Sequence, residues 1–587
     1  MAVGPYRKLN PTNMAAAYWT DGFWAERFDL CHDTIIPKMK EALEHPSNSA
    51  CLSNFRVGAR LEEGEHRGTN WSDGDCYKWI ETMAHVYAVA GDPELDREMD
   101  YWIDLIAKTQ ADDGYISTQT QLNPDKKRWD QRAFHELYNM GHLMTAASVH
   151  QIATGKTRFV AVARKLADYL YDLFQPRPPE LAHFGWNPSN IMGLVDLYRV
   201  TGEERYLELA GIFVDMRGSQ SWPQDQWAAA TGGDPHPGDQ NQDRVALRAE
   251  AQAEGHAVTA TYLWCGAADV VAETGEQELL DALDRIWHNV TEKKMYVTGA
   301  VGAYHHGVSA RHDKVHEAFG RVYELPNATA YNETCANIGN GMWNKRMLEL
   351  TGDAKYGDAM EQVLYNSALS AMDIDGTRFC YTNPLARSRW TPALSQDSAQ
   401  RWSEFTCYCC PPQVARTLAK THEWAYCVSD DGVWVNLYGG SVLDTDVPGH
   451  GEVKLTQRTG YPWDGEVTIT IDIAPAAEVE EAHNQVAVMR GPVVYCLEGA
   501  DLPDGVPVHE VHIPRNISFT TAYEPELLGG VTVLEGTACR WRGPNWSDKL
   551  YAELPKATSE DLPIRLIPYY SWLNRGRHDM RIWLPLE

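Results

Sequence analysis

Apolar positions recur at helical spacing in five paired stretches along the first two thirds of the chain. The first members are Tyr77–Ala90, His135–Ala153, Ile191–Val200, His256–Ala272 and Ile338–Leu350. A glycine follows each one, at Gly91, Gly155, Gly202, Gly275 and Gly352. Glycine adopts the left-handed conformation that ends a helix. A few mostly polar residues then lead into a second run: Leu95–Lys108, Phe159–Leu173, Tyr206–Met216, Leu279–Val290 and Tyr356–Ala371. The pattern predicts five αα-hairpins.

Two more helical stretches have no partner next to them in sequence, Ala25–Glu44 and Pro411–Val428. Prolines at the start of the second suit a first helical turn. Pairing the two makes a sixth hairpin and closes a ring, an (α/α)6 barrel; an open helical solenoid is the alternative. In such a ring the first helix of each pair is expected inside. The segments entering the inner helices are Trp71-Ser72-Asp73-Gly74-Asp75, Phe134-His135-Glu136, Asn187-Pro188-Ser189-Asn190, Glu254-Gly255-His256, Asn332-Glu333-Thr334-Cys335 and Cys407-Tyr408-Cys409-Cys410. They gather polar chemistry at one end of the ring. The opposite ends read as plain Thr-Gly turns.

Beyond residue 430 the period changes to two. Gly432–Tyr438, Glu452–Thr456, Glu466–Ile471, Val486–Met489 and Val493–Tyr495 read as strands. The expected organisation is mainly α with a β domain: residues 1–20 as an N-terminal segment packing on the β domain, 21–430 as the barrel, and 431–587 as a β-sandwich region. Between Ile471 and Val486 the β region reads as trimmed.

Composition narrows the function. The net charge of −29 disfavours nucleic acid, which needs clustered Lys and Arg. The acidic run Glu478-Val479-Glu480-Glu481 reads as solvated surface. The sequence has no apolar run long enough for a membrane span and no apolar signal core near Met1, so a cytoplasmic location is expected. Trp is abundant, at 21 residues, and aromatic rings suit the apolar faces of sugars, though most belong in a core.

The 12 cysteines are too sparse for a disulfide framework, yet Cys407, Cys409 and Cys410 fall within four residues. Adjacent cysteines rarely pair with each other, so metal ligation is the sharper reading and buried metal-free thiols the plainer one. If the inner helices converge, Glu333 and Cys335 meet Cys409 and Cys410 and complete a tetrahedral Cys3Glu set. One such thiolate could serve as both ligand and nucleophile. A proton donor would come from His316-Glu317-Ala318-Phe319 or Tyr323-Glu324-Leu325.

Tyr331-Asn332-Glu333-Thr334-Cys335-Ala336 and Phe405-Thr406-Cys407-Tyr408-Cys409-Cys410-Pro411-Pro412 resemble the signatures of glycoside hydrolase family 127, whose characterised members include β-L-arabinofuranosidases. Supporting stretches are Asp75–Trp79, His135–His142, Gly255–Val258, Met295–Ala300 and Val488–Pro492. The resemblance runs from about residue 20 to past residue 500. It implies Zn2+ on Glu333, Cys335, Cys409 and Cys410, Cys409 as nucleophile and Glu317 as acid/base. It implies sugar contacts at His135, His256, Glu361 and Tyr381. Asn187 stands where the characterised arabinofuranosidases carry a histidine, which leaves the sugar between β-L-arabinofuranose and a related furanoside. The implied reaction is a retaining double displacement in which a zinc-bound thiolate replaces the usual carboxylate nucleophile.

The competing readings are a helical-ring sugar epimerase or lyase, and a non-catalytic carbohydrate-binding protein with structural zinc. The expected partner is an oligosaccharide or glycoside, with no nucleic acid and no membrane, and a homodimer left open.

Overall fold

The computed structural model describes residues 4–586 except 221–240, 309–313, 389–396, 398–399, 405–406, 449–450, 465, 468–470, 473–476, 483–484 and 542–559. Phe405-Thr406 of the cysteine signature, the middle of the expected strand Glu466–Ile471 and the side chains of Glu478–Glu481 lie outside the described residues.

Six helices form the interior: α1 (Ser72–Ala90), α2 (Glu136–Thr154), α3 (Ser189–Thr201), α4 (Ala257–Thr274), α5 (Thr334–Thr351) and α6 (Cys410–Trp424). Each packs on the next, and α6 returns to α1. Their enclosure is plain in α4, where every residue from Ala257 to Glu273 is buried. The five predicted glycines follow α1 to α5, all left-handed with φ between 63° and 74°. Five outer helices, Pro93–Thr109, Arg158–Phe174, Glu204–Met216, Gln277–Lys293 and Ala354–Gln362, pack on α1 to α5 in turn. They bury one stripe each, as Leu95, Met99, Trp102, Ile103 and Ile106 do for the first. The segment Gly22–Glu44 packs on α6. Among the described residues no helix is long and apolar enough to cross a membrane.

Three elements depart from the sequence pattern. Gly22–Glu44 is broken by a π-helical turn at Cys31–Ile35. The helix from Ala354 becomes π-helical at Val363–Ala368 and 3-10 at Leu369–Ala371. Asn366, in that π-helical stretch, donates to Pro492 O at 2.6 Å and accepts from Val494 N at 2.7 Å. Two strong bonds to a strand end thus accompany the irregular turn. The run expected to be helical to Val428 stops at Trp424. Tyr426–Ser429 is a strand, because Gly432 permits the turn that folds Gly432–Val435 back onto it.

The C-terminal part is rich in strands. Ala477–Ala482, Gln485–Arg490, Val493–Glu498, Glu560–Pro568, Val531–Arg540 and Val511–His512 follow one another across the largest sheet. Glu466–Val467 and Ile471–Asp472 pair with each other rather than forming one strand. Between Ile471 and Val486 the strand Ala477–Ala482 is present, in register with Gln485–Arg490. Near the N-terminus, Asn10–Pro11 pairs with Tyr426–Ser429, and Ala17–Asp21 pairs with Gly440–Val447.

The opposite ends of the inner helices are not the plain turns the sequence suggested. They carry a buried ion network. Glu81 meets Arg416 at 2.8 Å and Lys420 at 3.1 Å. Asp269 meets Arg346 at 2.8 Å and Arg199 at 3.2 Å. Arg199 also meets Glu273 at 2.6 Å, and Arg7 approaches Glu349 at 3.6 Å. Because these helices are enclosed on all sides, charged residues in their middle and later turns meet one another instead of reaching water. Arg416→Ala leaves the buried Glu81 carboxylate with one strong partner fewer. We expect a loss of about 3–5 kcal/mol, read as a lower midpoint of thermal inactivation. The triple variant Glu81→Leu/Arg416→Met/Lys420→Met should lose much less, since it removes both cations that Glu81 pairs together with the carboxylate itself.

Candidate functional site

At the other end, the residues entering all six inner helices line one cavity of about 380 Å³. Trp71 belongs to α1, His135 and Tyr138 to α2, and Trp186 and Asn187 to α3. His256, Val258 and Tyr262 belong to α4, Glu333 and Cys335 to α5, and Cys407 and Cys409 to α6. His305, His316, Glu317 and Tyr381 come from the connections around α5. Four of these segments use a left-handed residue other than glycine: His135 (φ 54°), Asn187 (φ 46°), Glu317 (φ 53°) and Asn332 (φ 46°). Such a backbone disfavours side chains with a Cβ and persists where surrounding contacts over-determine it. At Asn332 those contacts are visible: its carbonyl accepts from Asn337 Nδ2 at 3.0 Å and Asn383 Nδ2 at 2.9 Å.

The deep wall holds Glu333, Cys335, Cys409 and Cys410, whose donor atoms all lie within 4.8 Å of one another. Cys335 Sγ is 3.5 Å from Cys410 Sγ, and Cys409 Sγ is 3.9 Å from Cys410 Sγ. Two thiolates about 2.3 Å from one tetrahedral ion stand roughly 3.8 Å apart. The observed spacings fit. Glu333 Oε2 is buried and has no hydrogen-bond partner, a costly state that a cation would relieve. The four residues therefore fit a metal ion. Cys407 Sγ, 3.9 Å from Cys409, is not one of the four.

The thiols differ in acidity. Hydrogen bonds from the thiols of Cys335, Cys407 and Cys410 hold Cys409 well below the ordinary thiol range, against its burial. Burial pushes Cys335 and Cys410 well above it. The sulfurs also differ in access: Cys409 is 8% exposed and lines the cavity, whereas Cys410 is fully buried and does not. Beneath them the buried Lys78 donates to Cys409 O at 3.0 Å and meets Asp75 at 3.5 Å, and Asp75 accepts from Ser49 at 2.9 Å. The acidic entry to α1 thus braces the cysteine loop rather than facing the cavity.

Glu317 stands in the same cavity within a dense set of donors. Tyr331 OH donates to its Oε1 at 2.8 Å and Tyr381 OH at 3.3 Å. His256 Nε2 is 3.1 Å from Oε2, and His316 Nε2 is 3.4 Å from Oε1. His256 Nδ1 accepts from Thr259 N at 3.3 Å. The neutral ring therefore carries its proton on Nε2 and donates it to Glu317. His256, His316 and Glu317 are close enough to hold a second ion. That tautomer makes them a hydrogen-bonded carboxylate instead. Burial works to raise the Glu317 carboxyl, but the charge of His316 and the hydrogen bond from His256 outweigh it and hold it below the usual range. Burial, then the charges of Glu317 and Cys409, push Glu333 well above that range.

A family model described as the β-L-arabinofuranosidase, GH127 catalytic domain, matches residues 17–423. The chain belongs to glycoside hydrolase family 127. Models of the family's middle and C-terminal domains match residues 432–488 and 472–585. This family 127 protein is a glycoside hydrolase. It is 30% identical to a non-reducing end β-L-arabinofuranosidase of Bifidobacterium longum subsp. longum, over 96% of this chain and 99% of the relative. It is also similar to the crystal structure of a GH127 β-L-arabinofuranosidase from Geobacillus stearothermophilus T6. That likeness has a TM-score of 0.88 and 34% identity, covering 97% of this chain and all of the other. A GH127 β-arabinofuranosidase structure, BT3674, matches with a TM-score of 0.83 and 29% identity, over 99% of this chain and 98% of the other.

Of the residues singled out in the sequence, the cavity of this family 127 hydrolase brings together His135, Asn187, His256, Glu317, Glu333, Cys335, Tyr381 and Cys409, with Cys410 behind. Glu324, the other proton-donor candidate, is not in its lining. Nor is Glu361, and that expectation is corrected. Glu361 ends an outer helix, where it accepts from Tyr461 OH at 3.0 Å beside Tyr365. Tyr138, Trp186, Tyr262 and His305 were not singled out, and Trp71 was read only as the start of a helix entry. Trp186 directly precedes another such entry, and Tyr138 and Tyr262 lie within the first two turns inside. Position relative to those entries was the usable signal.

Burial, with a smaller push from Asp358, raises the Glu361 carboxyl to about 7. A carboxyl raised on folding stabilises fully below its ordinary value near 4.5, and that contribution is lost as pH climbs through about 7. Glu361→Gln keeps an acceptor for Tyr461. Its heat stability should exceed that of the parent at pH 8 and nearly equal it at pH 5. An equal gain at both values would mean that ionisation of Glu361 is not the cause.

Proposed function

We propose that this family 127 enzyme is a retaining glycosidase that releases a terminal β-L-arabinofuranosyl or closely related furanosyl unit. Cys409 is the nucleophile, Glu317 the acid/base, and Glu333, Cys335, Cys409 and Cys410 hold zinc. One observation carries the reading: Cys409 is the most exposed sulfur of the four-donor set and opens onto the cavity that also contains Glu317. Three thiols and a carboxylate favour zinc over magnesium or calcium. Bound there, zinc would keep its sulfur ligands deprotonated at neutral pH.

The protein's own groups then divide the work. Cys409 Sγ attacks the anomeric carbon; Glu317, ionised in the free site, takes up a proton as the substrate binds and passes it to the departing oxygen. A thioglycosyl bond to Cys409 results. Glu317, now ionised, takes a proton from water, which attacks the same carbon and returns the sulfur. The carboxylate held by Tyr331, Tyr381 and His256 is already the form needed for that second step. His135, Asn187, His256 and Tyr381 bind the sugar. The name of the Bifidobacterium relative supports the arabinofuranosyl assignment. Asn187 leaves room for a related furanoside: its Oδ1 accepts from Thr259 Oγ1 at 2.7 Å, so an amide N–H remains for a sugar oxygen.

The cyclic packing of α1 to α6 supports a closed (α/α)6 barrel over residues 21–430, with a β-sandwich region over 431–587. The strand pairs of residues 10–11 and 17–21 support an N-terminal segment lying along the β side.

Elemental analysis of the purified enzyme should give about one zinc per chain. Cys409→Ser should abolish turnover, and a haloacetamide derivative of the sugar should label Cys409. A glycosyl adduct found by mass spectrometry on Glu333 or another carboxylate, with Cys409 unmodified, would reduce the thiolate to a structural part. Glu317→Gln should slow glycosides of poor leaving groups far more than nitrophenyl glycosides, by a factor of about 100. Equal losses on both would remove Glu317 from the acid/base role.

A further inference from the structure

The stretch Cys407-Tyr408-Cys409-Cys410 holds one thiol more than the four-donor set uses. Cys407 is buried in the cavity wall, with Sγ 3.9 Å from Cys409 Sγ. Tyr408, between them, turns the other way. It lines a separate groove with Met39 and Phe379, and its ring centre lies 6.1 Å from that of Trp402. Cys407 and Cys409, two residues apart, thus face the cavity together. A buried thiol that merely fills space is the plainer reading of Cys407. Its place against the sulfur of the nucleophile gives it chemistry as well.

Three thiols hydrogen-bond Cys409 Sγ: those of Cys335, Cys407 and Cys410. Two of them cannot do so when they ligate. Cys335 and Cys410 belong to the donor set, and a coordinating thiol gives up its proton. Cys407 stands outside the set, and an ordinary unligated thiol keeps its proton at neutral pH. Of the three, Cys407 alone then still has an S–H to donate. Its acceptor is Cys409 Sγ, which carries no proton in its reactive form.

We propose that Cys407 is a hydrogen-bond donor to the nucleophile and stabilises Cys409 as the departing thiolate in the second step. The inference rests on the assignment of Cys409 above. In that step a water oxygen bonds to the anomeric carbon and its proton passes to Glu317. The carbon–sulfur bond breaks, and its electron pair returns to Cys409 Sγ. Cys407 keeps its proton throughout. In the glycosyl-enzyme the Cys409 sulfur is a neutral thioether, which accepts weakly. As charge grows on it the bond from Cys407 strengthens, because hydrogen bonds to ionised groups are the stronger ones. The contact therefore favours the thiolate over the covalent intermediate. It speeds departure of the sulfur and does not speed its attack.

The test separates the two steps. The enzyme is mixed with a nitrophenyl furanoside that the parent cleaves, quenched at intervals and weighed by mass spectrometry. Decay of the glycosyl adduct, once substrate is used up, should be about ten-fold slower in Cys407→Ala than in the parent. The first burst of nitrophenol should be no slower. Where hydrolysis of the adduct limits turnover, kcat and KM fall together and kcat/KM holds. Cys407→Ser keeps a donor and should return most of the decay rate. Elemental analysis should give the same zinc content, about one per chain, in the parent and both variants. If Cys407→Ala melts early, Cys407→Val, closer in size to the thiol, takes its place. Equal decay in the parent and the variant that lacks the donor overturns the proposal. So does slower decay accompanied by zinc loss, because Cys407 then supports the metal and not the departing sulfur. An adduct on a carboxylate, with Cys409 unmodified in the parent, overturns the assignment of the nucleophile itself.

Discussion

Four electron-rich groups crowded into one buried corner are the constraint around which this molecule is built. Glu333, Cys335, Cys409 and Cys410 bring their donor atoms within 4.8 Å of one another, away from water. As anions they would repel strongly at low dielectric. Without a cation the corner must retain protons on Glu333, Cys335 and Cys410, and leave Cys409 as the sulfur its neighbours stabilise. Helix geometry helps. Glu333 caps α5, Cys335 is in its first turn, Cys409 caps α6 and Cys410 opens it. The positive ends of two helix dipoles face the corner.

Bringing two helix starts from distant parts of the chain to such closeness requires fixed approaches. Asn332 turns through a left-handed residue so that Glu333 points inward, and two side-chain amides clamp its carbonyl. Thr334 N donates to Tyr381 O at 3.0 Å, and Asp397 accepts from Tyr381 N at 2.8 Å. This ties the Tyr381 hydroxyl, and through it Glu317, to the same corner. Lys78 fixes the other approach by holding the Cys409 carbonyl from below. Glu317 and Cys409, the proposed acid/base and nucleophile, are thus positioned by one connected set of bonds.

The periodic parts of the sequence were readable because each signal there has a single physical cause. A left-handed glycine after an apolar helix leaves little choice about where α1 to α5 end. The signal failed where side chains rather than propensity decide the backbone. The π-helical stretch at Val363–Ala368 carries Asn366, whose bonds reach a strand some 130 residues away in sequence, about twice the separation typical of neighbouring helices here. The strand Tyr426–Ser429 depends on partners at both Asn10–Pro11 and Gly432–Val435. In the site, the donor set was legible because thiolate chemistry uses few residue types. The aromatic walls were not, since a Trp beside a helix entry looks like any core Trp. Glu361 failed because an aligned position carries no information on how far the outer helix stands from the cavity.

The ion network and the cavity are two ends of one electrostatic problem. The inner helices run side by side with all their starts at the cavity, so their dipoles add rather than cancel. Each leaves about half a positive charge at the cavity and about half a negative charge at the far end. Thiolate and carboxylate groups complement the first. Arg199 in the last turn of α3, Lys345 and Arg346 on α5, and Arg416 and Lys420 on α6 gather at the second. Carboxylates are then needed to keep those cations from repelling one another, and Glu81, Asp269, Glu273 and Glu349 supply them. A ring of parallel helices that concentrates anionic chemistry at its open end must therefore bury cations at its closed end. That makes the network a consequence of the active-site layout and not a separate stabilising device.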